Sequence, residues 1–238
     1  MIDLASNDSL LARFARDLDG QAITAPISID VPHADREVAR VAWAHRIVDE
    51  YRSVAVFGEL LVLLANLEAP YPALCAVQRL IGDELRHARL CAAAVDWLGG
   101  TEELDVDLSH LALPPRRAGE SSGRRAAEII ARELVVAEEE SIVVLAACRD
   151  AATEPAFRAV LATLLRDEVR HAAAGRALYR LFDEGAALAR TITDADHAEL
   201  AAVMAADRAE LREVYRAAAR GGPGRTLGAS ITTRDLFP

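Results

Sequence analysis

The chain has 238 residues and a formal net charge of −10, and its 27 basic residues are all arginine. That acidity argues against nucleic acid and against an anionic membrane surface, both of which need a basic face. Three cysteines without a CxxC pair (Cys75, Cys91, Cys148) argue against a disulfide framework and against a cysteine-held zinc or iron site.

Hydrophobic residues make up 52% of the chain but aromatic residues only 5%. The core must therefore be built mostly from alanine and leucine, which favour helices, as do the abundant arginine and glutamate. An all-α fold is expected. Met1 to Gly20 shows no basic stretch followed by an apolar one, and runs such as Leu60–Ala65 are far too short to cross a bilayer. The expected protein is soluble and cytoplasmic.

In chain order, residues 1–33 read as an N-terminal segment. Helical periodicity then runs from Ala34 to Leu67 and ends at a turn carrying Pro70 and Pro72. A second helix follows from Pro72 to Leu98 and stops at Gly99-Gly100. Thr101 to Gly123, with Pro114-Pro115, reads as a long connection. A third helix spans Arg124 to Ala151. Thr153 as N-cap and Pro155 in the first turn open a fourth, which runs to Glu184. A weaker fifth helix covers Asp194 to Arg220, and 221–238 read as a tail. Two short hairpins joined by one long crossover suggest a four-helix bundle with ferritin-like connectivity over 34–220, plus an extra C-terminal helix.

The sequence repeats itself across the two hairpins. Asp83-Glu84-Leu85-Arg86-His87-Ala88 on the second helix matches Asp167-Glu168-Val169-Arg170-His171-Ala172 on the fourth. Glu50-Tyr51-Arg52-Ser53-Val54 on the first matches Glu138-Glu139-Glu140-Ser141-Ile142 on the third. A Glu and a His three apart share one helix face, so each pair can hold one metal ion. Each remaining helix adds one glutamate. Four carboxylates are cancelled by two divalent cations, which makes the set tolerable in a core.

Hairpin geometry narrows the choice of glutamates, and where Glu139 and Glu140 fit the height nearly as well as Glu138, the repeat alignment selects Glu138. Glu50 and the Glu84–His87 pair are equidistant from about residue 68, at the first turn. Glu138 and the Glu168–His171 pair are equidistant from about residue 154, in the second break. Glu59 faces the opposite side from Glu50, and on an α-helical wheel Glu133 lies about 140° round from Glu138. The expected metal ligands are Glu50, Glu84, His87, Glu138, Glu168 and His171. Asp83 and Asp167, each just before a ligand glutamate, are expected to reach the non-metal nitrogen of a histidine. Arg86 and Arg170 read as salt-bridge residues that can anchor those acids. Glu139 and Glu140 read as neighbours at other angles. His33, His45, His110 and His197 lack a paired pattern. Cys91 reads as a small core residue.

These residues resemble the ferritin-like di-iron carboxylate superfamily over about Ala34 to Glu184. The paired Asp-Glu-x-Arg-His is similar to the motif of bacterial multicomponent monooxygenase hydroxylases and related di-iron oxidases. The resemblance implies the same six ligands and makes Asp83 and Asp167 partners of the histidines across to the other helix. It departs from the family at two places. Cys91 stands where many ribonucleotide reductase small subunits have a radical-forming tyrosine, and Ile142 stands where the monooxygenases have a threonine. A cysteine-bound iron domain of the rubrerythrin kind is absent from the sequence.

The function expected is that of a di-iron oxidase or oxygenase acting with dioxygen on a small organic molecule, with electrons from an external donor. The ligand set also suits manganese or an iron–manganese pair. Val54, Phe57, Ile142 and Leu145 are expected to wall an apolar pocket. A homodimer is an open option. Two other readings stand beside this one: a ferroxidase or iron-storage protein, and a metal-bound structural or interaction module.

Overall fold

The computed structural model describes residues 33–100 and 115–221, together with positions 26, 28, 29 and 31. It is all-helical, with no strand among the described residues. The helices are α1 (His33–Asn66), α2 (Tyr71–Trp97), α3 (Ser122–Ile129), α4 (Glu138–Ala151), α5 (Pro155–Tyr179) and α6 (Asp194–Gly221). A π-helical segment, Ile130–Ala137, joins α3 to α4 without a break, so five helical rods result. No described helix is long and apolar enough to cross a membrane. Most of the expected crossover, most of the N-terminal segment, the tail beyond Gly221, and His110 lie outside the described residues.

Local chemistry sets the helix ends. Pro70 caps α2 and Pro72 falls in its first turn, where a missing N–H costs nothing. At the other end Gly99 and Gly100 both take positive φ, and Gly100 N donates back to Val95 O, which stops the helix. Ser121 caps α3 by accepting from Arg124 N at 3.0 Å. Thr193 and Asp196 exchange hydrogen bonds at the start of α6, in a reciprocal box. The expected cap at Thr153 is not what forms. Glu154 is the N-cap of α5 and its side chain makes no capping bond. Pro155 pre-sets the first helical φ, so the residue before it takes the cap position. The fourth helix also ends earlier than Glu184, passing at Arg180 into a single 3-10 turn that closes at Phe182.

The rods pack α1 on α2, α2 on α5, α5 on α4 and the π segment, and α1 on α3, while α6 lies mainly against the π segment. Their buried side chains form two separate apolar clusters. One gathers Phe57, Leu64, Val77, Leu134 and Phe182, among others. The other gathers Trp43, Cys91, Leu145, Phe157 and Leu164. Trp43 stacks on Phe157 with centroids 5.8 Å apart. On four of the five rods, α6 excepted, the chain leaves one cluster, passes Glu50, Asp83–His87, Glu138 or Asp167–His171, and enters the other. The polar residues therefore form a layer between two apolar cores.

The α5–π contact is unusually close. A Cβ on Gly175 would sit 2.5 Å from Leu134 O and 2.7 Å from Leu134 Cβ. Both rods would have to shift, because the atoms met are backbone and Cβ, not a flexible side-chain tip. Gly175→Ala is therefore expected to destabilise the fold by roughly 1–3 kcal/mol, read as a lowered midpoint in urea unfolding. An unchanged midpoint would show that the rods separate freely.

Candidate metal centre

Glu84 and His87 project from one face of α2, and Glu168 and His171 from one face of α5. Glu50 comes from the middle of α1, and Glu138 is the first residue of α4, where the π segment ends. All six are buried, none more than 8% exposed. Their ligand atoms converge in two groups. Glu84, Glu138, Glu168 and His171 offer atoms within 4.8 Å of one another, and so do Glu50, His87 and Glu168. Glu168 belongs to both groups, so a pair of ions bound here would share it.

The histidine rings are turned by partners on the opposite helix. His87 Nε2 lies 3.2 Å from Asp167 Oδ2, and His171 Nε2 lies 3.5 Å from Asp83 Oδ2. Arg86 pairs with Asp83 at 3.0 Å and also with Asp167, and Arg170 pairs with Asp167 at 2.7 Å and with Asp83 at 3.4 Å. Two aspartates, two arginines and two histidines thus close a ring across α2 and α5. With Nε2 occupied, Nδ1 of each imidazole faces inwards. His171 Nδ1 is 3.0 Å from Glu84 Oε1 and 3.1 Å from Glu168 Oε2. His87 Nδ1 is 3.4 Å from Glu50 Oε2 and 3.8 Å from Glu168 Oε1.

Nδ1 of both histidines, Glu84 Oε1 and Glu168 Oε2 are buried without a hydrogen-bond partner. Protein interiors rarely leave such atoms unmatched. A cation in each group would satisfy them together. The nitrogen and oxygen donors suit iron, manganese or zinc, and two divalent charges cancel four glutamates. The residues present fit a metal pair.

The electrostatics of the metal-free layer show what a cation must displace. Burial pushes the Glu84 carboxyl up, the Glu168 and Glu50 charges add to it, and its pKa reaches about 8. Burial and the charge of Glu168 raise Glu138 as well. Burial disfavours a charged His87, but the Asp167 and Glu50 carboxylates outweigh it and raise its pKa to about 10. His171 is raised in the same way by Asp83, Glu138 and Glu168. Burial also resists charge on Glu168, yet Glu138 and the two histidines hold its pKa low. Protons on the imidazoles thus stand in for metal charge.

A cavity of about 590 Å³ opens beside the layer, lined by Glu50, Glu84, Glu138 and Glu168 and by residues of α1, the π segment, α4 and α6. Phe57 lines it. Val54, Ile142 and Leu145 are not among its lining residues: Val54 and Ile142 are half-buried, and Leu145 belongs to the second apolar cluster. The cavity lies to one side of the ligand direction, so Ser53, Ser141 and Val144 face it instead. Most of its lining residues are polar, with Phe57, Ala137, Val144 and Leu211 supplying apolar surface.

Several residues of the site were not singled out by the sequence. Arg46 forms an ion pair with Glu50 at 3.1 Å and lines the cavity; its i,i+4 spacing from Glu50 was the available signal. Glu133 also lines the cavity, and Arg52 donates to both its oxygens at 2.9 and 3.0 Å. The wheel that turned Glu133 away assumed 100° per residue, whereas a π-helix advances less per residue. Of the glutamate run, Glu138 alone turns to the metal groups. Glu139 pairs with Arg176 and Arg208, and buried Glu140 with Arg212. His45 is exposed on the cavity wall, and His197 Nε2 lies 3.0 Å from Phe182 O, away from the site.

Comparison with known proteins finds no matching family model, no matching curated protein and no matching solved structure. The functional reading therefore rests on this geometry.

Near neutral pH, Glu84 and His87 carry protons that an incoming cation must displace, because both pKa values lie above the solution pH. Metal binding should then release protons, and affinity should climb as pH rises from about 6 to about 8, because the cost of removing them shrinks. Calorimetry in buffers of different ionisation enthalpy reads the protons directly, and an affinity flat across that window would contradict the arrangement. Asp167→Asn, which keeps its shape but loses the charge behind His87, is expected to weaken metal binding roughly 10–100-fold.

Proposed function

We propose that the chain is a ferritin-like dimetal carboxylate protein that works as a di-iron oxidase or oxygenase on a small organic molecule. The observation that carries this reading is the pair of buried ligand groups joined through Glu168, with both histidine Nδ1 atoms unpartnered inside them. Four helices deliver the six ligands, which supports a four-helix bundle with an added C-terminal helix. α2 and the α3–α4 rod pass the two apolar clusters in the same order. That shared order supports ferritin-like connectivity between the two hairpins.

Iron held here would supply the redox capacity to activate dioxygen, with an external donor providing electrons. The protein's own groups do the rest. The Asp–Arg–His ring fixes both imidazoles. Glu50 and Glu138 add one carboxylate from each side. The two apolar clusters keep water from the layer above and below it. A cavity large enough for an organic molecule beside the ligands favours oxidation of such a molecule over iron storage, for which ions alone must reach the site. Manganese or a mixed pair would be held by the same donors. A reducing compartment such as the cytoplasm suits the three free cysteines.

The test is metal content on protein grown with ample iron, followed by optical spectra as the anaerobically reduced sample meets oxygen. Wild type is expected to hold about two irons per chain and to change its absorption on exposure. Glu168→Ala, which removes the shared carboxylate, should lose both ions, while Glu50→Ala should retain about one. A wild-type chain that holds no metal, or metal indifferent to oxygen, refutes the reading.

A further inference from the structure

Arg46 has no role in assembling the metal groups, yet it is placed against them. Its side chain is 15% exposed, and it lines the 590 Å³ cavity one helical turn before Glu50. Its Nε lies 3.1 Å from Glu50 Oε1 but out of hydrogen-bonding line, so that buried N–H has no acceptor. Glu50 is its ion-pair partner, and Glu50 also belongs to the Glu50–His87–Glu168 ligand group.

The other charges on the wall are already engaged or face outwards. Arg52 is closed by both oxygens of Glu133. His45 and Asp49 are exposed; Asp49 feels the Arg46 charge across the solvent-facing wall, but no ion pair joins the two among the described residues. Once a cation takes Glu50, that carboxylate shares its charge with the metal. Arg46 is left as a largely buried cation whose counter-charge has been drawn away, and a buried charge requires a partner. The planar guanidinium fork suits a carboxylate, through two parallel hydrogen bonds.

We propose that the cavity binds a small organic acid, its carboxylate seated on Arg46 and its remainder lying against the glutamate layer. Phe57, Val144 and Leu211 give that remainder an apolar wall. The volume falls within the range of ligand pockets, about 300–1,000 Å³. The assignment rests on the dimetal reading, because the metal is what releases Arg46 from Glu50. It gives Arg46 a binding role that a merely structural arginine would not have.

The test uses full-length protein loaded with zinc, which binds the same donors without redox chemistry. Benzoate and benzamide, matched in shape and different in charge, are titrated by calorimetry. Wild type is expected to bind benzoate roughly tenfold or more tightly than benzamide. Arg46→Gln should erase that preference while keeping its zinc. Arg46→Lys, which keeps the charge without the fork, should retain part of it and covers the case in which Arg46→Gln folds poorly. Benzoate bound equally well by Arg46→Gln would place the carboxylate on the metals and overturn the proposal. So would equal binding of benzoate and benzamide by wild type. Zinc content, measured first on the same samples, separates the two failures. A chain that takes up no zinc overturns the dimetal reading, whereas a zinc-loaded chain without an Arg46-dependent preference overturns the organic-acid site alone.

Discussion

Six acids and two histidines are buried in one layer of this protein, and the fold is organised around keeping that layer neutral. Glu50, Asp83, Glu84, Glu138, Asp167 and Glu168 are each 8% exposed or less. Charge in an apolar interior must be paired, protonated or bound to metal. The structure uses the first two means on its own account. Arg86 and Arg170 neutralise the aspartates. The imidazoles and the carboxyls of Glu84 and Glu138 hold protons against the usual direction for a buried histidine and an ordinary glutamate. Two apolar clusters, one on either side, pack the rods together above and below the layer. That separation lets the middle of the molecule carry groups that add little to its stability.

The ring of Asp83, Asp167, Arg86 and Arg170 converts a repeated motif into a site. A Glu and a His three apart on a helix fix only a direction. What fixes the ring orientation is the aspartate on the other helix, which takes Nε2 and leaves Nδ1 inwards. Because each aspartate serves the opposite histidine, α2 and α5 must meet at one register for either half to work. Packing and ligand geometry are thus specified by the same contacts. The tight approach of Gly175 to Leu134 fixes the neighbouring contact, between α5 and the π segment, and so sets how closely Glu138 approaches Glu168 and His171.

The sequence made the all-helical fold legible through composition and periodicity, and the position of the site through spacing. Asp-Glu-x-Arg-His occurs twice, at matching distances from two turns, and all six residues that spacing points to fall in the two groups, with Glu168 and His171 together but Glu84 and His87 in different ones. The cavity was less legible. Its wall depends on how the rods splay and on the π segment, and neither leaves a periodic trace. Val54, Ile142 and Leu145 sit one or two turns from a ligand, yet the opening lies to the side of that direction, where Ser53, Ser141 and Val144 face it. Glu133 shows the same lesson from the other side: an α-helical wheel removes it, and the π turn brings it back. Thr153 failed as a cap for a local reason, since Pro155 moved the cap to the residue before it.

The repeat also shows where the two hairpins differ. Its symmetric part, one Glu and one Glu-x-x-His from each hairpin, builds the ligand layer. Its asymmetric part builds everything beside that layer. Four residues before Glu50 stands Arg46, an arginine on the cavity wall, while four residues before Glu138 stands Leu134, buried in the core against Gly175. The first hairpin has an unbroken α-helix through its lone glutamate, and the second has a π segment ending at its own. α6 then braces only the second, through Arg208 on Glu139 and Arg212 on Glu140. The cavity thus lies between unlike walls, with Arg46 and Arg52 on α1 and Glu133, Ser141 and Val144 on the second hairpin. A symmetric layer would offer a ligand two equal faces. In this one the arginines that line the cavity, Arg46 and Arg52, both come from α1, and Arg46 stands beside Glu50.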